Sequence, residues 1–108
     1  MENEQLIKEF AQVEVLPGKD EEFVAAVNLA VVKVLSTARG FIAFEIYKSF
    51  ERENVYMFEI QWATLADHTI GFRESELFPK WRAIIGPFFA SPPQVEHWGN
   101  VPAVAGTE

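Results

Sequence analysis

The chain has 108 residues, 49% of them apolar, with three Trp, two Tyr and ten Phe, no cysteine and a formal net charge of −7. That length supports one core and one domain, and the aromatic content excludes a disordered chain. The acidic balance argues against nucleic acid or an anionic membrane as partner, and the absence of cysteine excludes disulfides, thiolate nucleophiles and the common zinc sites.

Met1 to Glu22 has no basic start followed by an apolar run, and no segment approaches the roughly eighteen apolar residues that a membrane span requires. A soluble cytoplasmic protein is therefore expected, with no membrane partner. Phe10 to Leu16 alternates well enough for a strand and stops at the turn signal Pro17-Gly18. Asp20 is placed to cap a helix from Glu21 to about Ala38, with Glu21 and Glu22 in the first turn where the helix dipole favours them. Phe23, Val27, Ala30, Val31, Val34 and Ala38 follow the helical period. Gly40 takes the left-handed position that ends such a helix.

Two strands follow, Phe41–Phe50 and Asn54–Trp62, and their short polar connection makes them an antiparallel hairpin. In the second, Tyr56, Phe58, Ile60 and Trp62 share one face, while Val55, Met57, Glu59 and Gln61 share the other. In the first, Ile42, Phe44, Ile46 and Phe50 oppose Phe41, Ala43, Glu45 and Tyr47. A half-exposed sheet should have one clean polar face, and this one does not. One long helix and one short one cannot cover both faces, so a second copy of the sheet is the simplest cover: a homodimer is expected. Thr64 caps a helix that carries His68 and reaches about Arg73. After a break at Glu74-Ser75, a second helical segment carries Phe78, Trp81, Ile84 and Ile85, with Pro79 near its start and Gly86-Pro87 at its end. Gln94–Trp98 reads as a last strand. Residues 1–98 form the domain and 99–108 a tail that frays or crosses to a partner subunit. The order β-α-β-β-α-β specifies an α+β, ferredoxin-like sandwich.

Chemistry concentrates in the stretch from Trp62 to Ser75. A tryptophan that closes an apolar strand and a histidine on the next helix can face a common cavity, with an aromatic wall and one group able to move protons near neutral pH. His68 is thus the candidate base, against the alternative of a surface histidine beside Asp67. Trp62 stacks on a flat substrate or donates its indole N–H to an oxyanion, unless it is simply core. Arg73 and Ser75 are candidates to orient a carboxylate or phenolate, or else form an ion pair with Glu74 or Glu76 and a helix cap. Phe58, Phe72 and Trp81 are candidate pocket walls. Trp81, on a stripe with Phe78 and Ile85, is equally a core residue. Glu45, Glu59 and Tyr47 sit on otherwise apolar strand faces, where hydrogen bonds at a dimer seam come first and a catalytic acid second; Tyr47 is also a candidate to bind substrate. His97 falls on the Val95 side of the last strand, and packing is favoured for it over catalysis. A His68–His97 metal pair would lack a third ligand at recognisable spacing, so no metal is expected. No Gly-rich phosphate loop suggests a nucleotide cofactor.

Val15-Leu-Pro-Gly18, Gly40-Phe41, Trp62 with His68 six residues on, Phe72-Arg-Glu-Ser75 and Ser91-Pro-Pro-Gln-Val-Glu-His-Trp98 together resemble the antibiotic biosynthesis monooxygenase family, over about residues 8 to 98. The resemblance implies a dimeric α/β barrel, two ferredoxin-like sheets packed face to face, with a pocket between sheet and helices in each subunit. It implies a cofactor-free oxidation of polyketide phenols or anthrones to quinones with O2. Quinone-forming relatives carry Asn and Tyr where this chain has Phe58 and His68, so Trp62 alone carries over directly. The haem-degrading branch places its ligating histidine where this chain has Phe72. The expectation is a monooxygenase acting on a hydrophobic aromatic small molecule, without cofactor. The alternatives are a polyketide cyclase or aldolase-like enzyme using the same base, and a non-catalytic dimer that binds an apolar molecule.

Overall fold

The computed structural model describes residues 6–101. Its elements are β1 (Ile7–Glu14), α1 (Asp20–Lys33), β2 (Phe41–Lys48), β3 (Val55–Trp62), a π-helical turn (Asp67–Phe72), α2 (Leu77–Ile85) and β4 (Gln94–Gly99). They follow the β-α-β-β-α-β order and form one antiparallel sheet with strand order β2-β3-β1-β4. This is the α+β, ferredoxin-like architecture read from the sequence. The last strand runs one residue beyond Trp98, and residues 102–108 of the expected tail lie outside the described residues.

The helices pack on one face of the sheet. Phe23, Val27 and Ala30 of α1 and Trp81 and Ile85 of α2 bury against Ala11 and Val13 of β1 and Tyr56, Phe58, Ile60 and Trp62 of β3. Each large side chain so buried contributes about 1.5–3 kcal/mol relative to exposure. On the other face Phe10, Gln12, Met57, Glu59 and Gln61 stay partly exposed, and Tyr47 and Trp98 are about half exposed.

Five expected features are corrected. The first strand begins at Ile7 rather than Phe10, because charged Lys8 and Glu9 hide its start. The helix expected to run to Ala38 ends at Lys33 and continues as a 3-10 turn over Leu35–Thr37. Asp20 does not cap it. Asp20 is its first residue, and its carboxylate accepts from the Tyr56 hydroxyl at 2.5 Å and from Lys48 Nζ at 3.1 Å. Those two hydrogen bonds hold its pKa below the usual value. Finally, Phe41 pairs with Trp62 while Ala43 pairs with Gln61, so Ile42 is an extra residue in a β-bulge. The bulge puts Phe41 on the core face, where its ring meets Trp62 edge-on at 6.2 Å. Phe50 lies outside β2 and is fully exposed.

Candidate functional site

The site begins with the register of three strands. On β1, Glu9 stands opposite Ile60 of β3 on one side and opposite His97 of β4 on the other, and it points into the core. A glutamate 6% exposed needs partners, because burying an unpaired charge is costly. Trp62, the last residue of β3, supplies one: its Nε1–H donates to Glu9 Oε1 at 2.9 Å.

The second partner comes from the turn after β3. The Thr64 hydroxyl accepts from the Asp67 N–H at 3.0 Å and starts the turn as expected. It then widens: Arg73 N–H donates to the His68 carbonyl, five residues back, at 3.0 Å. Such π turns occur often at functional sites. With this winding His68 and Phe72 both face the sheet and are buried. The His68 ring stacks on Trp62, centroids 5.2 Å apart and planes 21° from parallel. The turn can settle this close because Gly40, at φ +84, has no side chain; a Cβ there would overlap the Asp67 carboxylate.

His68 Nε2 lies 3.3 Å from Glu9 Oε1, and His68 Nδ1 lies 2.8 Å from Nε2 of half-buried His97. Trp62, Glu9, His68 and His97 thus form a continuous row of polar contacts, hydrogen-bonded at its two ends and joined in the middle by the 3.3 Å approach of His68 to Glu9. Burial pushes the Glu9 carboxyl up to about 7, against the opposing pull of the Trp62 N–H and the Arg73 charge. Burial pushes His68 down to about 4, helped by the Arg73 and His97 charges. Burial and Arg73 also lower His97. Although Glu9 and His68 are within ion-pair distance, these shifts leave no pH at which carboxylate and imidazolium coexist as the main form. Between about pH 4 and 7 both groups are neutral, and above about 7 a carboxylate faces a neutral imidazole.

A cavity of about 260 Å³ opens beside this row, between sheet and α2. Glu9 and His68 line one wall, Phe58, Phe72, Phe78 and Trp81 supply aromatic walls, and Arg73 and Arg82 sit among the polar lining. Arg73 is exposed and, among the described residues, makes no ion pair with Glu74 or Glu76. The Ser75 hydroxyl accepts from the Leu77 N–H at 3.0 Å at the start of α2.

Of the residues singled out from sequence, the structure gathers His68, Phe58, Phe72, Arg73 and Trp81 around this cavity. Trp62 is fully buried behind it, and its N–H is taken by Glu9 rather than offered to a ligand. Tyr47 lies on the opposite face of the sheet, where its hydroxyl donates to Glu59 at 2.7 Å, so it does not reach the cavity. Glu9 was missed. Carrying the alternation back from Val13 and Ala11 places Glu9 on the inward face, and that was the available signal. No group of three or more His, Asp or Glu among the described residues is arranged to hold a metal ion. His68 already uses both ring nitrogens. No helix of the described residues is long and apolar enough to cross a membrane.

Residues 6–84 match the family model described as antibiotic biosynthesis monooxygenase. The chain belongs to the antibiotic biosynthesis monooxygenase family. The uncharacterized protein YczJ of Bacillus subtilis is 32% identical over 96 residues, covering 89% of this chain and all of that protein. A candidate antibiotic biosynthesis monooxygenase from Bordetella bronchiseptica is 35% identical with a TM-score of 0.85, covering 90% of this chain and 98% of that one. A similarly described protein from Caulobacter crescentus, 23% identical with a TM-score of 0.75 over 91% of this chain and 92% of its own, shares the fold. The family match ends before β4, so His97 lies beyond it.

Proposed function

We propose that this family member is a monooxygenase that uses O2 to oxidise a flat, hydrophobic phenol or anthrone of polyketide type to a quinone, without metal or flavin. The observation that carries this reading is the aromatic-walled cavity with a carboxyl–imidazole pair in its wall. Its volume of about 260 Å³ favours a small flat ligand. The Glu9–His68 pair removes a proton from the activated carbon or hydroxyl, worth about 10²–10⁴-fold for a well-placed base. The substrate anion passes one electron to O2, and the two radicals combine to a peroxide. Loss of water then leaves a carbonyl where two hydrogens stood, so the substrate supplies all the reducing power. The aromatic walls keep bulk water from the intermediates. The open sheet face is proposed to meet a second copy of the chain.

The test is oxygen uptake with an anthrone or a dihydroxynaphthalene, by wild type and His68→Ala, with no metal or flavin added. Enzyme-dependent uptake that falls at least tenfold in the variant is expected. Turnover that proceeds equally under nitrogen would replace this reading with a cyclase or aldolase-like reaction. One observation favours that second reading: Glu9 holds its proton up to about pH 7 and can hydrogen-bond an enolate oxygen.

A further inference from the structure

Among the described residues, Glu9 is the one carboxyl of the cavity wall. It is otherwise buried. With a hydrophobic ligand in that space, the polar contacts of Glu9 among the described residues are the Trp62 N–H, a donor that cannot accept a proton, and the His68 ring. His68 in turn touches His97, and β4, which carries His97, is an edge strand of the sheet. Nδ1 of His97 has no hydrogen-bond partner among the described residues.

We propose that Glu9, His68 and His97 form a proton wire that connects the cavity carboxyl to solvent at the edge of the sheet. The distances of 3.3 and 2.8 Å fix how it works. When Glu9 is protonated, its O–H donates to His68 Nε2, His68 Nδ1–H donates to His97 Nε2, and His97 carries its hydrogen on Nδ1. To discharge Glu9, its proton moves to His68 Nε2 as the His68 Nδ1 proton moves to His97 Nε2. His97 then releases its Nδ1 proton to water. Both rings end neutral with hydrogen on Nε2, Glu9 ends as carboxylate, and one proton has left; loading runs in reverse. No imidazolium accumulates at His68, in keeping with a basicity lowered first by burial and then by the Arg73 charge. The charged groups facing the row are Arg73 at the end of the π turn and Arg82 on α2, both lining the cavity, while β3 contributes the uncharged Trp62 N–H. Glu9 is the group that touches substrate, and His97 acts through His68. Use of the wire in turnover, to reset Glu9, rests on the proposed oxidation; its existence does not.

The experiment is therefore made on the ligand-free protein, by long-range ¹H–¹⁵N NMR of the two histidines and ¹³C NMR of the Glu9 carboxyl, titrated across pH 5 to 9. The expected result is that both rings exchange the Nδ1–H form for the Nε2–H form together, in step with the Glu9 carboxyl. Glu9→Gln, whose amide can donate to His68 Nε2 at every pH, should lock both rings in the Nδ1–H form. A His68 that keeps one tautomer while Glu9 titrates, a His97 that switches alone, or a switch that survives Glu9→Gln overturns the wire. Failure of oxygen uptake with an intact switch would sink the oxidation and leave the wire standing.

Discussion

Glu9 and His68 pull the pH dependence of stability in opposite directions. The Glu9 carboxyl is raised from 4.5 to about 7 in the fold, so its stabilising contribution is complete below about 4.5 and lost as pH rises to about 7. The His68 imidazole is lowered from 6.5 to about 4, so its penalty is present in acid and relieved as pH rises from about 4 to 6.5. Each amounts to something on the order of 3 kcal/mol, and over the shared window the two slopes nearly cancel. Single substitutions should unmask them. Relative to wild type, Glu9→Gln is expected to gain stability between about pH 4.5 and 7, and His68→Gln to lose it between about pH 4 and 6.5. Urea midpoints measured across that range check this, and curves parallel to wild type would show that the pair does not titrate as described. At this scale the sequence was half legible. His68 was visible because histidine is rare in the chain and follows the aromatic strand. Glu9 was hidden by its own charge, which reads as surface when it stands on the strand's inward face. For Trp62 the sequence leaves stacking, oxyanion donation and core packing open, because it does not reveal the Glu9 carboxyl that takes the indole N–H.

Periodicity found every strand and both principal helices, since alternation and the 3.6-residue repeat follow from where side chains point. It erred where one residue was inserted. The bulge at Ile42 changes the face of Phe41, and the π turn sets which residues after Trp62 point inward; neither has a period to betray it. Gly40 joins those two irregularities, since it precedes β2 and sits against Asp67 in the turn. Gly18 gives the matched comparison: its φ of +81 is nearly that of Gly40, but a Cβ there would meet nothing within 4 Å. Gly18→Ala should cost only the left-handed backbone strain, about 1–2 kcal/mol. Gly40→Ala should cost clearly more, by displacing Asp67, and should carry His68 away from Glu9 and His97. The checks are urea denaturation of both variants and the His68 ring resonances, which should move in Gly40→Ala and stay in Gly18→Ala. Equal costs in the two would mean that the turn accommodates a methyl group and does not depend on the close approach.

The sheet leaves one problem at the scale of the whole molecule. Its helix-free face carries Phe10, Met57, Tyr47 and Trp98 beside Lys8, Glu45, Glu59 and Glu96. Scattered exposed apolar residues need no explanation, but these share one surface built by all four strands. The like charges Glu45 and Glu59 also stand directly opposite each other across β2 and β3, an unfavourable placement on a bare sheet. Lys8 approaches Glu59 at 3.6 Å and relieves part of it. A surface that mixes apolar side chains with both signs of charge can match itself about a two-fold axis, and a stable interface of standard size buries about 1,200–2,000 Å² in total. Wild type is therefore expected to sediment as a dimer at micromolar concentration. Met57→Glu and Trp98→Glu, both on the helix-free face and away from the cavity lining, should shift it to monomer with an unchanged far-ultraviolet circular dichroism spectrum. Because the proposed site lies on the other face and is built within one chain, the His68–His97 tautomer switch should survive in those monomers. A wild type that is monomeric at high concentration would overturn the paired-sheet arrangement. A switch that disappears on dissociation would mean that the partner helps to hold β4, and His97 with it, in place.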